Sequence, residues 1–175
     1  MCMVALITGM ALHSTGNAAQ ILFKANYNML SPEAKQQVEC LAENMYFEAA
    51  YEPKIGQVAV AFVTINRVKS GRFEHDICGV VKQKIQNVCQ FSWWCEDRAK
   101  AIATSKVLTN GSNQVYNDIR NLALHVYANH EKLEDPSKGA LFYHADYVKP
   151  GWRNMEYLTT IGRHLFYNRK DLRNT

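Results

Sequence analysis

Residues 31–69 read SPEAKQQVECLAENMYFEAAYEPKIGQVAVAFVTINRVK, and the fold turns on how this stretch is read. Ser31 has the side chain of a helix N-cap, Pro32 suits the first helical position, and Glu33 sits where a helix favours negative charge. Val38, Leu41, Ala42, Met45 and Ala49 then recur at helical spacing and form one apolar stripe. The helix should stop before Pro53, because the residue preceding a proline avoids helical geometry. A second helix is expected from about Gly56 to Lys69. Its run Val58-Ala59-Val60-Ala61-Phe62-Val63 is apolar on every side, as befits a buried central helix. A strand could give the same run, but the alanines and the following Asn66-Arg67-Val68-Lys69 favour helix.

Further along the chain, shorter helices are expected near Asp76 to Ile85, Asp97 to Leu108 and Asp118 to His130. Asp135-Pro136-Ser137-Lys138-Gly139 marks a loop. Beyond it, Ala140 to Val148 and Thr159 to Tyr167 are rich in aromatic and branched residues and could pair as a small antiparallel sheet. The fold class is therefore α+β, mostly helical, with its strands gathered late. No internal repeat or low-complexity tract interrupts it. Residues 1–28 read as a signal-like or flexible leader and residues 29–175 as one folded domain. In the leader, Met3 to Leu12 are apolar and Gly16-Asn17-Ala18 would tolerate cleavage. No basic segment precedes the apolar core, so a mis-assigned start or an uncleaved helix fits equally well. The stretch is too short for a stable membrane span.

The chain has 175 residues, 47% of them hydrophobic and 21% charged, which suits a folded domain with its own core and argues against disorder. A net charge of +4 is compatible with an anionic polymer such as a bacterial wall. The basic residues are spread out, with no run that reads as a nucleic-acid tract. Setting Cys2 aside with the leader, Cys40, Cys78, Cys89 and Cys95 allow three pairings. Export would favour one bridge among Cys78, Cys89 and Cys95. The spacing of Cys89 and Cys95 is not that of a structural zinc site, and the His-Glu-x-x-His pattern is absent. His125 and His130 lie on poorly matched helix faces, so no metal site is expected there.

Glu48 falls three residues after Met45, on the shoulder of the apolar stripe. A carboxyl facing an apolar crevice there loses hydration, keeps its proton more readily and could donate it to a glycosidic oxygen. Position alone equally allows a carboxylate turned to water from the helix edge. Glu52, next to Pro53, suits a supporting role. The loop Cys89-Gln90-Phe91-Ser92-Trp93-Trp94-Cys95 mixes flat aromatic faces with polar donors, as sugar clefts do, although tryptophans inserted into the core would read the same. Tyr143 and His144, adjacent in an expected strand, should face opposite ways.

Taken together, these blocks resemble the SleB-like cell-wall hydrolase family, which includes spore-cortex-lytic enzymes and related phage lysins. The resemblance runs from Leu41 to Tyr167. Its blocks are Leu41 to Ala49, Glu52-Pro53 with Gly56-Gln57-Val58-Ala59-Val60-Ala61, Asn66-Arg67-Val68, and Cys78-Gly79-Val80-Val81. Then follow Cys89-Gln90-Phe91-Ser92-Trp93, Ala140 to Ala145 with Pro150 and Trp152, and Ile161 to Tyr167. It implies a domain related to goose-type lysozyme and lytic transglycosylases, acting on peptidoglycan strands between N-acetylmuramic acid and N-acetylglucosamine. Glu48 stands at the position of the family's catalytic Glu, while Ala50 and Tyr51 replace the usual Arg and Gly. With it go Glu52, Gln57, Gln90, Phe91, Ser92, Trp93, Tyr143 and His144 as substrate-binding residues. One carboxyl suffices for a transglycosylase, because the attacking hydroxyl belongs to the substrate, and the implied mechanism requires no metal or organic cofactor. The implied protein is a secreted or envelope-acting monomer. Two other readings stand beside this one. The first is a wall peptidase or amidase with Cys89 or Cys95 as nucleophile and His144 as base; the second is a wall-binding module without activity.

Overall fold

The computed structural model describes residues 25–96 and 113–170. The apolar leader segment and the helix expected at Asp97 to Leu108 lie outside these residues. Tyr27, inside the leader as drawn from the sequence, is already docked. It follows Asn26 into a single 3-10 turn, Tyr27–Met29, and its hydroxyl donates to Glu39 at 2.6 Å.

Helix α1 spans Pro32–Ala49 and is capped as its sequence dictates, with the Ser31 hydroxyl accepting from the Ala34 N–H at 3.2 Å. The stripe from Val38 to Ala49 is buried. The chain leaves the helix at Ala50 and re-enters at Lys54, with Pro53 in the cap position, so α2 (Lys54–Ser70) begins two residues earlier than the expected Gly56. Helix α2 is the central element, with residues 59–65 all buried. It ends at Gly71, whose φ of 65° is the left-handed conformation that closes helices.

After α3 (Ile77–Lys82), capped by Asp76, the sequence-based helix to Ile85 is corrected. Lys84–Ile85 (β1) and Val88–Cys89 (β2) form a small hairpin instead. Gln86 and Asn87 both have positive φ, the backbone of a two-residue hairpin turn, and that geometry ends the helix. Trp93–Glu96 form a short helix, α4. The next described helix, α5, spans Gln114–Asn129. It starts four residues before the expected Asp118 because the Asn113 side chain caps it, accepting from the Tyr116 N–H.

The late sheet has the order β3-β5-β4, all antiparallel, with β3 at Phe142–Ala145, β4 at Met155–Ile161 and β5 at His164–Arg169. The expected pairing of residues 140–148 with 159–167 is present through β3 and β5. However, the second segment is not one strand. It breaks at Gly162, φ 57°, into a β4–β5 hairpin. A Cβ at Gly162 would collide with the Glu52 carboxylate, so the turn is built for close approach as well as for backbone hand.

Two ties fix the sheet to α2. Asn66 donates to Asp135 at 2.8 Å, and Asp135 also accepts from the N–H groups of Ser137 and Gly139, which orders the loop entering β3. The Arg67 Nε–H donates to the Leu141 carbonyl at 2.8 Å. Ala59 and Val63 of α2 close a small second core with Ala140 and Phe166, while the larger core lies among α1, α2, α3 and α5. Two disulfides are present, Cys40–Cys78 between α1 and α3, and Cys89–Cys95 across the aromatic loop. The one bridge expected among Cys78, Cys89 and Cys95 is Cys89–Cys95, and Cys78 pairs with Cys40. Spacing along the chain could not show that α3 packs beside Cys40.

Candidate active site

The end of α1 and the turn after it form one wall of a groove of about 430 Å³, and the end of β3 with the start of β5 forms the other. Among the described residues, Glu48 and Glu52 are its two acidic lining residues, and Phe47, Tyr147, Arg163 and His164 surround them. Glu48 is half-buried. The Tyr143 hydroxyl, projecting inward from β3, donates to its Oε2 at 2.9 Å. Burial, and then the neighbouring Glu48 charge, hold the Tyr143 hydroxyl well above its usual pKa, so it stays a neutral donor across the working pH range. Strand alternation explains the aim: Tyr143 shares the inward side with Phe166, which is fully buried, and packs against its ring at 5.6 Å.

Arg67 lies behind this pair. It is 5% exposed, and its guanidinium lies 4.8 Å from the Phe91 ring centre and 5.0 Å from that of Phe73. Burial lowers its pKa to about 10, opposed by the nearby Tyr143 and Glu48, and it remains a cation at neutral pH. The groove therefore has a buried positive charge on the protein side of Glu48. His164, 7% exposed, meets the Tyr143 ring edge-on at 5.0 Å. Burial lowers its pKa, which keeps the imidazole neutral at neutral pH.

Glu52 is held differently. Its Oε2 accepts the Arg163 N–H at 3.0 Å, which ties the turn after α1 to the β4–β5 hairpin. The Gln57 amide donates to the carbonyls of Ala50 and Glu52, bracing the same turn from below. Tyr51, where the resemblance predicts Gly, is fully exposed on the lip of the groove.

The family model for cell wall hydrolases matches residues 51–167, about two thirds of the chain. The chain belongs to the cell wall hydrolase family. Two spore cortex-lytic enzymes are similar to it. That of Halalkalibacterium halodurans is 29% identical over 133 residues, covering 75% of this chain and 34% of the relative. That of Oceanobacillus iheyensis is 28% identical over 137 residues, covering 76% and 42%. The chain thus spans well under half of either relative. The crystal structure of the catalytic domain of the Bacillus cereus SleB protein superposes with a TM-score of 0.54 at 25% identity, covering 83% of this chain and all of that one. The fold is accordingly the lysozyme-like α+β architecture expected from the sequence. The family match begins at Tyr51, and Glu48 stands just ahead of it.

In this cell wall hydrolase, the residues singled out from the sequence separate into three groups. Glu48, Glu52 and Tyr143 come together at the groove. Gln90, Phe91, Ser92 and Trp93 stand outside its lining. Phe91 is corrected outright: at 2% exposure, under Arg67, it props a buried cation and cannot meet a substrate. Trp93 stacks on Phe47 at 4.4 Å and donates its indole N–H to the buried Asn44 at 3.0 Å, so it backs the groove wall. Gln57 is likewise corrected to a brace, because its amide is committed to backbone carbonyls.

His144 forms the third group. It faces away from Glu48, stacked on Tyr167 at 5.2 Å. The thiol-enzyme reading fails on the same facts. Cys89 and Cys95 are bonded to each other, so neither supplies a thiolate, and His144 lies on the other side of β3.

Three contributors escaped the sequence reading: Arg67, His164 and Asn44. Arg67 carried only a weak signal, since it follows the apolar run Val58 to Val63 but shares the last turn of the helix with Lys69. His164 alternates with Phe166 and so points inward, but only once the break at Gly162 is known. Asn44 gave no signal beyond its position next to Met45 of the stripe.

Proposed function

We propose that this cell wall hydrolase cuts the peptidoglycan backbone between N-acetylmuramic acid and N-acetylglucosamine, as a lytic transglycosylase with Glu48 as its catalytic acid. The observation carrying the reading is the inequality of the two groove carboxyls. Glu48 faces the groove on the Tyr143 hydroxyl, while Glu52 is engaged by the Arg163 backbone. Glycosidases that use water generally need two working carboxyls at a set separation. With Glu52 engaged in the turn and no further carboxyl in the lining among the described residues, the nucleophile on this reading comes from the substrate.

The steps then balance. Glu48 gives its proton to the bridging oxygen, and the bond from that oxygen to C1 of the muramic acid ring breaks. The 6-hydroxyl oxygen of the same ring bonds to C1, and its proton passes to the Glu48 carboxylate, restoring the acid. The product carries a 1,6-anhydro ring, and no water is consumed. Tyr143 and the buried Arg67 stabilise the carboxylate in the interval between the two proton transfers. The site of action on this reading is the bacterial envelope, and the partner is the glycan strand, bound by a monomer.

Mass spectrometry of digested peptidoglycan tests the outcome, with anhydro-muropeptides expected. Reducing-end muramic acid in their place would replace transglycosylation by hydrolysis. Tyr143→Phe is expected to lower kcat roughly tenfold with KM nearly unchanged, since a hydrogen bond to a charged group is lost while the ring packing stays. A fall confined to KM would move Tyr143 from positioning the acid to holding substrate.

A further inference from the structure

The sheet has an outer face that the Glu48 groove does not use. Trp152 is its centre, 44% exposed between two open hollows of about 270 Å³ each. Its ring is fixed from three sides, edge-on to Phe142 at 5.9 Å, to His144 at 5.6 Å and to Tyr167 at 6.2 Å. His144 and Tyr167 lie nearly parallel, and Tyr157, 55% exposed, extends the aromatic surface. Among the described residues, the hollows are lined by the cations Lys149, Arg153 and Arg169 and by no acidic side chain.

An oriented, half-exposed aromatic platform ringed by cations matches one chemistry closely. Flat sugar faces settle on the rings, and anionic substituents reach the ammonium and guanidinium groups. We infer that this face is a second binding site for a carboxylate-bearing glycan strand, separate from the cleavage groove. The inference rests on the proposed function for its choice of strand. Because Tyr143 and His144 point to opposite sides of β3, one sugar unit cannot occupy both sites. The outer face therefore anchors the protein on polymer while the groove works elsewhere along it or on a neighbouring strand.

The test is co-sedimentation with purified peptidoglycan sacculi, using Glu48→Gln protein so that binding is read without turnover. Adding Trp152→Ala should weaken binding roughly tenfold, whereas Trp152→Tyr, which restores a ring, should stay within about threefold. Adding Arg153→Glu should also weaken binding and flatten its dependence on salt. If Trp152→Ala and Arg153→Glu both bind as tightly as their parent, the second site is refuted. Should Trp152→Ala fail to fold in a thermal melt, the Tyr and Arg153 variants decide alone. Wild-type protein that cuts no glycan, yet loses binding through Trp152, would overturn the proposed function and leave this face standing.

Discussion

Glu48→Gln is expected to lower kcat on peptidoglycan by about a thousandfold or more, with the melting temperature essentially unchanged. General acid catalysis contributes roughly 10²–10⁴-fold, and on the proposed mechanism the same group is also the base that closes the ring, so one substitution would remove both roles. Glutamine has the shape of glutamate, and its amide oxygen can still accept from the Tyr143 hydroxyl, so the local packing survives. Turbidity loss of wall suspensions, read beside a thermal melt, checks both halves. Residual activity within tenfold of wild type would move the acid to Glu52, and Glu52→Gln would then abolish activity. Wild-type protein that binds walls without lowering their turbidity would leave only a wall-binding module. Glu52 grips the Arg163 N–H beside a glycine that admits no side chain, so its replacement should loosen the hairpin and lower stability as well as activity.

Two residues of like charge, four apart, therefore have different work. One clear sign of this was in the sequence: Pro53 ends helical geometry, which puts Glu52 in a turn and leaves Glu48 on the last turn of a packed helix. The helices were legible because their signals are local. Caps at Ser31 and the apolar run of α2 each act within a few residues of themselves. The aromatic loop was legible as unusual but not as to purpose. Phe91 and Trp93 are two residues apart, yet one lies under Arg67 and the other against Phe47 and Asn44. Which partner each would find depends on how α1, α2 and the loop converge, and no pattern within the loop encodes that. The same holds for Arg67. Its side chain is placed by a carbonyl 74 residues later and by rings from three separate segments.

The two disulfides should differ in what their loss does, because they close loops of very different length. Cys40 and Cys78 are 38 residues apart in sequence and join α1 to α3, whereas Cys89 and Cys95 are 6 apart. On the chain-entropy account, the longer loop restrains the unfolded chain by about 4 kcal/mol and the shorter by about 2 kcal/mol. In a chain of this size each kcal/mol moves the melting temperature by roughly 2–4 °C. The double substitution Cys40→Ala with Cys78→Ala should therefore lower it by about 8–15 °C, and Cys89→Ala with Cys95→Ala by about half as much. Activity should rank the other way at temperatures where both variants remain folded. The long bridge lies in the core between α1 and α3, while the short one brackets the loop that presses Trp93 onto Phe47, a residue of the groove wall. Calorimetry on the two variants, with turbidity assays run well below either transition, reads both orders. Equal melting shifts would mean that the unfolded chain is not what the long bridge restrains. Full activity without the short bridge would detach the aromatic loop from the groove.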